Sequence, residues 1–335
     1  MTLVLTLVVR DEADILDAHL AYHLSAGVDF VIATDHRSQD GTTDILESYE
    51  RAGVLRRIAE EGEYTRQGAW QTRMARLAAT EHGADWVINS DADEFWWPRG
   101  ASLKEALGSV PRRYGVVRGL VRNFVPRRVA ADGFPDGLTV RLATSAPIND
   151  PATPFRPVVK AAHRGDQAVV VGEGGSHQVY GVSGALLRDW YPLEVLHFPL
   201  RTREQCARKY YKTWSGWEEN LRGDLTRARE ASAKGDPDAV WDRVALEDSE
   251  VERGLADCSL VSDVRIRDAV RLVRNESVAS RAIEGLPPPT RAEVDAHALE
   301  VAVFEEAELI RCQRWADELN ARISRLGRTT TPVSS

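Results

Sequence analysis

The feature that most constrains the fold of this 335-residue chain is a regular alternation of strand-like and helix-like segments in its first hundred residues. Residues 3–9 form an unbroken run of leucine, valine and threonine, which is typical of a strand covered on both faces. Further segments follow at the spacings of strands and helices: an apolar helical stripe at 15–24, strands at 30–33 and from 54, helices at 44–51 and 67–80, and a strand at 86–88. This alternation predicts βαβ crossovers and a mostly parallel sheet flanked by helices, which is an α/β fold.

The rest of the chain divides into two parts. Short apolar runs between residues 114 and 198 are broken by glycine and proline, which predicts mixed or antiparallel strands with long loops. From the capping-box pattern at 202–205 onward, the chain is predicted to be helical. We therefore predict one domain at 1–200, a C-terminal helical region at 201–327 and a polar tail at 328–335.

Composition excludes several functional classes. A net charge of −8 and a pI near 5.6 argue against a surface that grips nucleic acid or anionic lipid. The three cysteines lie far apart without a CxxC pair, which favours a reducing compartment over a disulfide framework. No stretch reaches the roughly 18 apolar residues of a membrane helix. We expect a cytoplasmic protein with no nucleic-acid partner and no integral membrane segment.

The acidic segment Asp91-Ala92-Asp93-Glu94 directly follows a predicted buried strand. Ligands of open α/β sheets bind beyond the carboxyl ends of strands. In an extended segment residues two apart point the same way, so Asp91 and Asp93 are predicted to converge. Two close carboxylates repel, and a hard divalent cation that also holds a substrate diphosphate would offset that repulsion. The alternative is a solvated acidic turn before the next helix.

A second polar segment, residues 35–42, follows the second predicted strand and runs Asp-His-Arg-Ser-Gln-Asp-Gly-Thr. It would place the Asp35 carboxylate and several backbone amides at the same edge of the sheet. Asp35 could then accept a hydrogen bond from a nucleobase or a ribose hydroxyl. A turn with good helix-start chemistry explains the segment equally well.

Four motifs in this order resemble family 2-like glycosyltransferases of the GT-A fold, over about residues 3–215. The motifs are Val9–Leu16, Asp35–Thr42, the DxD segment Trp86–Phe95 in its "DADEF" form, and the stretch from His197 to Lys209. The chain departs from the pattern at Asp11 and His36, where many relatives carry Asn, and at the bulky pair Trp96-Trp97.

The resemblance implies a transferase that moves a sugar from a nucleoside-diphosphate sugar, most often a UDP-sugar, to a hydroxyl acceptor, with Mn²⁺ or Mg²⁺ as cofactor and usually with inversion. It implies that Arg10, Asp35 and His36 lie against the base and ribose, with Gln67 and Arg73 as neighbours of the nucleotide. It further implies that Asp91 contacts ribose or metal-bound water, that Asp93 binds the metal, and that His197 is a third metal ligand.

Other side chains are candidates for the remaining tasks. A general base for the acceptor would be Glu173 or Asp150, each of which is otherwise a hydrated loop acid. His177, in a glycine-rich loop, is the rival of His197, and Trp214 would stack on a sugar or base unless it packs in the core. Basic residues after the last predicted strand would neutralise a diphosphate unless they form a solvated helix face: Arg201, Arg203, Arg208 and Lys209.

Two other functions are compatible with the sequence. A nucleotidyltransferase on a similar sheet would release pyrophosphate, although no glycine-rich phosphate loop with a following lysine occurs near the first strand. A non-catalytic carbohydrate- or partner-binding protein would keep the scaffold without the chemistry. The C-terminal helices are candidates for completing the acceptor pocket or for forming a homodimer.

Overall fold

The structure of the protein is a computed structural model that describes residues 1–62, 67–99, 102–128, 133–143, 158–172, 176–188, 190–212 and 238–275, with further positions between 298 and 322. The chain divides into two compact units, 1–288 and 289–335. The second unit is described only at helical positions. All elements named below belong to the first unit, and the domain boundaries at residues 200 and 327 stay predictions.

The strands of the described residues are numbered in chain order. They are β1 (Leu3–Val9), β2 (Phe30–His36), β3 (Leu55–Glu60), β4 (Trp86–Asp91), β5 (Glu94–Pro98), β6 (Tyr114–Asn123), β7 (Val140–Leu142), β8 (Val159–Arg164), β9 (Val170–Val171), β10 (Val179–Tyr180), β11 (Ala185–Leu186), β12 (Leu193–His197) and β13 (Leu260–Ser262).

The helices of the first unit are numbered in the same way. They are α1 (Ala13–Ser25), α2 (Thr42–Arg51), α3 (Gln67–Thr80), α4 (Leu103–Gly108), α5 (Arg203–Lys212), α6 (Ala239–Val244), α7 (Asp248–Ala256) and α8 (Arg265–Asn275). Across the described part of the chain, none of the helices combines the length and apolar character needed to cross a membrane.

One large sheet organises the first unit, in the order β3-β2-β1-β4-β8-β6-β12-β5 with β11 beside β6. The pairs among β1 to β4 are parallel, as is the pair of β6 and β12. Strand β8 runs antiparallel to both β4 and β6, and β5 runs antiparallel to β12. The predicted α/β fold with a mostly parallel sheet flanked by helices is confirmed, as are the mixed strands predicted after residue 114.

The sheet is strongly curled between β4 and β5. These strands lie four positions apart in the sheet, yet only Ala92 and Asp93 separate them in the chain. Four flat strand spacings would span about 19 Å, whereas the three Cα steps from Asp91 to Glu94 reach at most about 11 Å. The sheet must therefore curve round so that β5 returns to the end of β4.

Strand β1 is buried on both faces because helices cover the sheet on each side. Its odd-numbered residues, Leu3, Leu5 and Leu7, belong to a large apolar cluster that also contains residues of α1 and α8. Val4 and Val8 belong to a second cluster, which contains residues of α3. This two-sided burial explains why the run of residues 3–9 shows no polar alternation.

Aspartate is a residue type that favours helix N-caps, but Asp11, just before α1, does not cap this helix. Asp11 instead has a positive φ of 53° and accepts a hydrogen bond from the amide of Gln39 at 2.7 Å. The first amides of the helix donate to the next loop, from Ala13 to Asp40 at 3.1 Å and from residue 12 to Thr42 at 2.9 Å. The loops that follow β1 and β2 are therefore fastened together.

Helix α4 begins with a side-chain cap whose removal should have a modest effect. The Ser102 hydroxyl accepts a hydrogen bond from the amide of Glu105 at 3.1 Å. We expect Ser102→Ala to lower the free energy of unfolding by about 1 kcal/mol, because the substitution leaves a helix-start amide without its partner. Urea denaturation checks this. Ser109→Ala, at the other end of the helix, is the control, and an equal loss in both variants would contradict the cap assignment.

Candidate active site

Polar residues from five strands meet at the carboxyl edge of the sheet. In the register of β1, Val9 pairs with Asp35 of β2 and Val8 pairs with Asp91 of β4. On the other side, His197 at the end of β12 pairs with Asn123 of β6 and with Glu94 of β5. The curl of the sheet brings these two groups together, which defines the candidate site.

The DxD segment is a tight turn and not an extended strand. Strand β4 ends at Asp91, residues 92 and 93 form the turn, and β5 begins at Glu94. The amide of Asp91 donates to the Glu94 carboxylate at 3.2 Å, and the amide of Phe198 donates to the carbonyl of Asp93 at 2.8 Å. The convergence expected for an extended segment is therefore wrong, because the turn directs the two aspartates to different partners.

Asp91 is paired with a buried lysine. The Lys160 ammonium lies 2.8 Å from the Asp91 carboxylate and 2.8 Å from that of Glu94. Burial works against the charged lysine, but the two carboxylates raise its pKa above its ordinary value. Burial raises the pKa of Glu94 to about 7, although Lys160 opposes that shift. The repulsion between the carboxylates of Asp91 and Glu94 is thus offset by the Lys160 ammonium.

Asp93 is paired with a second lysine on α5. The Lys209 ammonium lies 2.7 Å from Asp93 Oδ2 and 3.2 Å from the carbonyl oxygen of Pro199. Asp93 is 4% exposed. Burial alone would raise the pKa of this carboxyl, but interactions with Lys209, His197 and Arg201 hold it well below its ordinary value. Asp93 is therefore a carboxylate at neutral pH.

His197 is oriented toward the same carboxylate oxygen. Its Nδ1 lies 2.8 Å from Oδ1 of Asn123, and its Nε2 lies 3.7 Å from Oδ2 of Asp93. A carboxamide oxygen only accepts hydrogen bonds, so Nδ1 carries a proton, and Nε2 is the ring nitrogen that faces Asp93. Such an outer hydrogen bond is typical of a histidine that binds a metal. The structure thus brings together two of the three predicted metal ligands.

These residues fit a cation whose coordination a substrate completes. The described ranges contain no group of three His, Cys, Asp or Glu side chains that could hold a metal ion. Magnesium-type ions, however, are often held by one or two carboxylates together with substrate phosphates and water. Asp93 and His197, whose Oδ2 and Nε2 lie 3.7 Å apart, would supply one carboxylate and one imidazole.

Arg201 fastens the end of β12 to the segment after β1. Arg201 is 2% exposed, and its guanidinium contacts Asp14 at 2.7 Å, Glu12, and the carbonyl of Phe198 at 3.1 Å. Two carboxylates already neutralise this arginine, so the expectation that it neutralises a diphosphate is not supported by its geometry. It anchors the loop between β12, which ends at His197, and α5, which carries Lys209.

Asp35 is enclosed by its own loop. It accepts hydrogen bonds from the Thr43 hydroxyl at 2.7 Å and the Ser38 amide at 3.3 Å, and it lies 3.4 Å from the Arg57 guanidinium. It is 4% exposed. The strand end places it at the predicted edge, where it also shapes the turn, so its nucleotide contact stays a prediction.

The other residues predicted near the base differ in accessibility. His36 is buried, its Nε2 lies 2.8 Å from the carbonyl of Gly62, and its ring packs on Trp70. Burial lowers the pKa of His36, which favours the neutral ring. The side chain of Arg10, just beyond β1, is 26% exposed and lies 3.9 Å from Asp11. Arg10 is thus the more accessible of the two at the carboxyl edge.

Helix α3 brings one of its two predicted residues to the site. The Gln67 amide lies 3.4 Å from Asp91 Oδ1, whereas Arg73 pairs with Glu60 of β3 at 3.1 Å. Residues six apart on a helix lie on different sides of it, which explains the separation.

His177 lies on the Lys160 side of the site. Its Nδ1 donates to the carbonyl of Val159 at 2.7 Å, and burial together with the Lys160 cation lowers its pKa to about 4. The other candidates for a general base or a stacking residue, Glu173, Asp150 and Trp214, lie outside the described residues.

The two tryptophans that depart from the family pattern are core residues. The amide of Trp96 donates to Nε2 of His23 at 3.1 Å, and Trp97 stacks on Tyr22 with ring centroids 6.0 Å apart. Both tryptophans are buried. The extra volume of this pair therefore fills the core.

Sequence reasoning missed Lys160 and the partners of Arg201. A detectable signal for Lys160 was a charged residue within the apolar run Val158-Val159-Lys160-Ala161-Ala162, in a chain with only five lysines. A lysine is almost never fully buried unless it is paired. The run therefore indicated an acidic partner, although it did not indicate which one.

No family model and no curated protein matches the sequence. Similar solved structures include S. aureus TarS 1-349 with UDP, at 14% identity, 69% coverage of each chain and a TM-score of 0.36. The same protein with UDP-GlcNAc gives 13% identity, coverage of 69% of this chain and 70% of that chain, and a TM-score of 0.37. Glucosyl-3-phosphoglycerate synthase from Mycobacterium tuberculosis, with Mn²⁺, UDP and glucosyl-3-phosphoglycerate, gives 18% identity, coverage of 36% and 44%, and a TM-score of 0.26. At these values the similarity assigns no activity to this chain.

Proposed function

We propose that the protein is a glycosyltransferase that moves a sugar from a nucleoside-diphosphate sugar, with a UDP-sugar as the preferred donor, to a hydroxyl acceptor. The observation that carries this proposal is the cluster of Asp93, His197 and Lys209 at the carboxyl edge of the sheet. It unites the DxD motif with the motif that begins at His197, although about a hundred residues separate them in the chain. A lone acidic turn that was merely solvated would not have a buried Asp93.

The residues at this edge divide into two groups by what they can hold. Arg10 and Asp35 would contact the base and ribose, with Gln67 beside Asp91 near the ribose. Asp93 and His197 would hold Mn²⁺ or Mg²⁺, whose charge would offset the negative charge that develops on the leaving diphosphate. The ammonium group of Lys209, 2.7 Å from Asp93, would lie close to the same phosphates and would offset the same charge.

The reaction breaks the bond between the anomeric carbon and the diphosphate, through a transition state with oxocarbenium character. Inversion requires a base that takes the proton of the acceptor hydroxyl as the new bond forms. We propose Glu173 or Asp150 for this role, with His177 and Trp214 lining the acceptor side.

The first test is a thermal-shift screen of nucleoside diphosphates with and without Mn²⁺. We expect UDP with Mn²⁺ at about 100 times its Kd to stabilise the protein by about 2.7 kcal/mol, a rise in Tm on the order of 5 °C. The magnitude follows from a ligand that binds the native state alone. If no nucleoside diphosphate raises the Tm in either condition, the donor assignment fails.

Product analysis then separates the three candidate functions. Incubation with a panel of sugar nucleotides and hydroxyl acceptors should release a nucleoside diphosphate. Release of pyrophosphate from a nucleoside triphosphate and a sugar phosphate would instead identify a nucleotidyltransferase. Absence of every product, together with tight glycan binding, would identify a non-catalytic carbohydrate-binding protein.

A further inference from the structure

Lys209 binds the carboxylate oxygen of Asp93 that would also coordinate a divalent cation. Its ammonium lies 2.7 Å from Oδ2 of Asp93, and the same Oδ2 faces Nε2 of His197 at 3.7 Å. A divalent cation held by Asp93 and His197 would therefore share this carboxylate oxygen with a positive charge. At such short range, in a partly buried setting, the repulsion between the two cations is strong.

The free protein already neutralises Asp93 without a metal. Burial of the Asp93 carboxylate requires a paired cation, and Lys209 supplies it. A metal ion arriving alone would displace the ammonium while bringing it no new anionic partner. The exchange is unfavourable for the free ion, so its affinity should be low.

A nucleoside diphosphate changes this balance, because its phosphates offer the ammonium a new anionic partner. The Lys209 side chain is 26% exposed, and its flexible four-carbon stem allows the ammonium to move. Lys160 differs, since its side chain is 5% exposed and two carboxylates hold it. Of these two lysines, Lys209 is therefore the one that can move from its carboxylate to the phosphates.

We propose that Lys209 keeps a divalent cation off Asp93 in the free protein and moves to the donor diphosphate, so that cation and nucleotide bind together. This inference rests on the proposed function. Coupling of this kind is reciprocal, so UDP strengthens Mn²⁺ binding by the same factor by which Mn²⁺ strengthens UDP binding. The factor should depend on the charge of residue 209.

The test measures Mn²⁺ binding by electron paramagnetic resonance, with and without saturating UDP, in the parent protein, Lys209→Met and Lys209→Gln. We expect the parent to bind Mn²⁺ alone at least tenfold more weakly than it does with UDP. Both variants should bind Mn²⁺ alone at least tenfold more tightly than the parent, yet bind the UDP–Mn²⁺ pair more weakly. Lys104→Met, which removes a lysine paired with Asp29 at 2.6 Å, is the matched control and should change neither affinity.

The opposite signs of the two effects make the test decisive. A lysine that only stabilised the fold would weaken both affinities when replaced, and that result would overturn the inference. Equal Mn²⁺ affinities of the parent and both variants without UDP would overturn it too, as would absence of Mn²⁺ binding under every condition. A different result would overturn the proposed function, namely that the parent releases no nucleoside diphosphate from any sugar nucleotide.

Discussion

Replacement of Asp93 by asparagine should abolish sugar transfer while leaving the fold intact. We expect kcat/KM to fall by at least about 10³-fold, or about 4 kcal/mol of transition-state stabilisation. The reason is that Asp93 is the carboxylate among the two protein ligands proposed for the cation. The affinity for UDP in the presence of Mn²⁺ should fall as well. Asparagine has nearly the same volume as aspartate, so circular dichroism spectra should match those of the parent.

Asp29→Asn is the matched control for this substitution. Asp29 is also bonded to a lysine, Lys104, at 2.6 Å, but it lies just before β2 and hence at the opposite edge of the sheet. Its replacement should leave kcat/KM within about twofold of the parent value. If Asp93→Asn retains parental transfer and parental Mn²⁺-dependent UDP binding, Asp93 has no place in the reaction.

Replacement of Arg201 by methionine should be severely destabilising. The substitution fills a similar volume but leaves the carboxylates of Glu12 and Asp14 without their cation. Removing one partner of a buried ion pair typically costs about 3–5 kcal/mol, and we expect a loss of that size in the free energy of unfolding. Guanidinium denaturation at pH 7 measures it.

The loss should depend on pH in a defined direction. Burial already raises the pKa of Glu12, and Arg201 is the leading cation that opposes this shift. Without Arg201 the pKa rises further above its unfolded value of about 4.3. A raised pKa in the folded state favours folding at low pH, so the stability of the variant should fall as pH rises through the new pKa. The deficit relative to the parent should thus be larger at pH 8 than at pH 5.

Arg203→Met provides the comparison on the same segment. The Arg203 side chain is 59% exposed and pairs with Asp238 at 2.6 Å. An exposed ion pair contributes at most about 1 kcal/mol, so this variant should be nearly as stable as the parent. A similar large loss in both variants would show that burial of the Arg201 pairs is not the source of the effect.

The parallel half of the fold was predictable because its elements depend on local patterns. Strand β1 and helix α3 have the predicted bounds, 3–9 and 67–80, since each is set by a run of suitable residues next to a clear break. Strand β2 was predicted to end at residue 33 but continues to His36. Its last residues are polar because they reach the functional edge, and a pattern based on apolar residues ends too early there.

The candidate site was predictable only in part, because its contacts are not local. The resemblance placed Asp93 and His197 together, and they lie together. The pairing of Asp91 with Lys160 depends on β8 entering the sheet beside β4, and no local pattern dictates that order. Strand β5 was missed for the same reason, since its partner β12 begins about a hundred residues later.

The length of the two-residue connection between β4 and β5 is fixed by the pairing of both strands. Asp91 is held at one end by the register of β4 with β1, and Glu94 is held at the other by its pairing with His197. One residue inserted into this connection would shift β5 by one position along β12 and turn Trp96 away from the interior. Deleting a residue would leave the connection too short to keep both of these pairings. Length at this junction is therefore as tightly constrained as the identity of the acids within it.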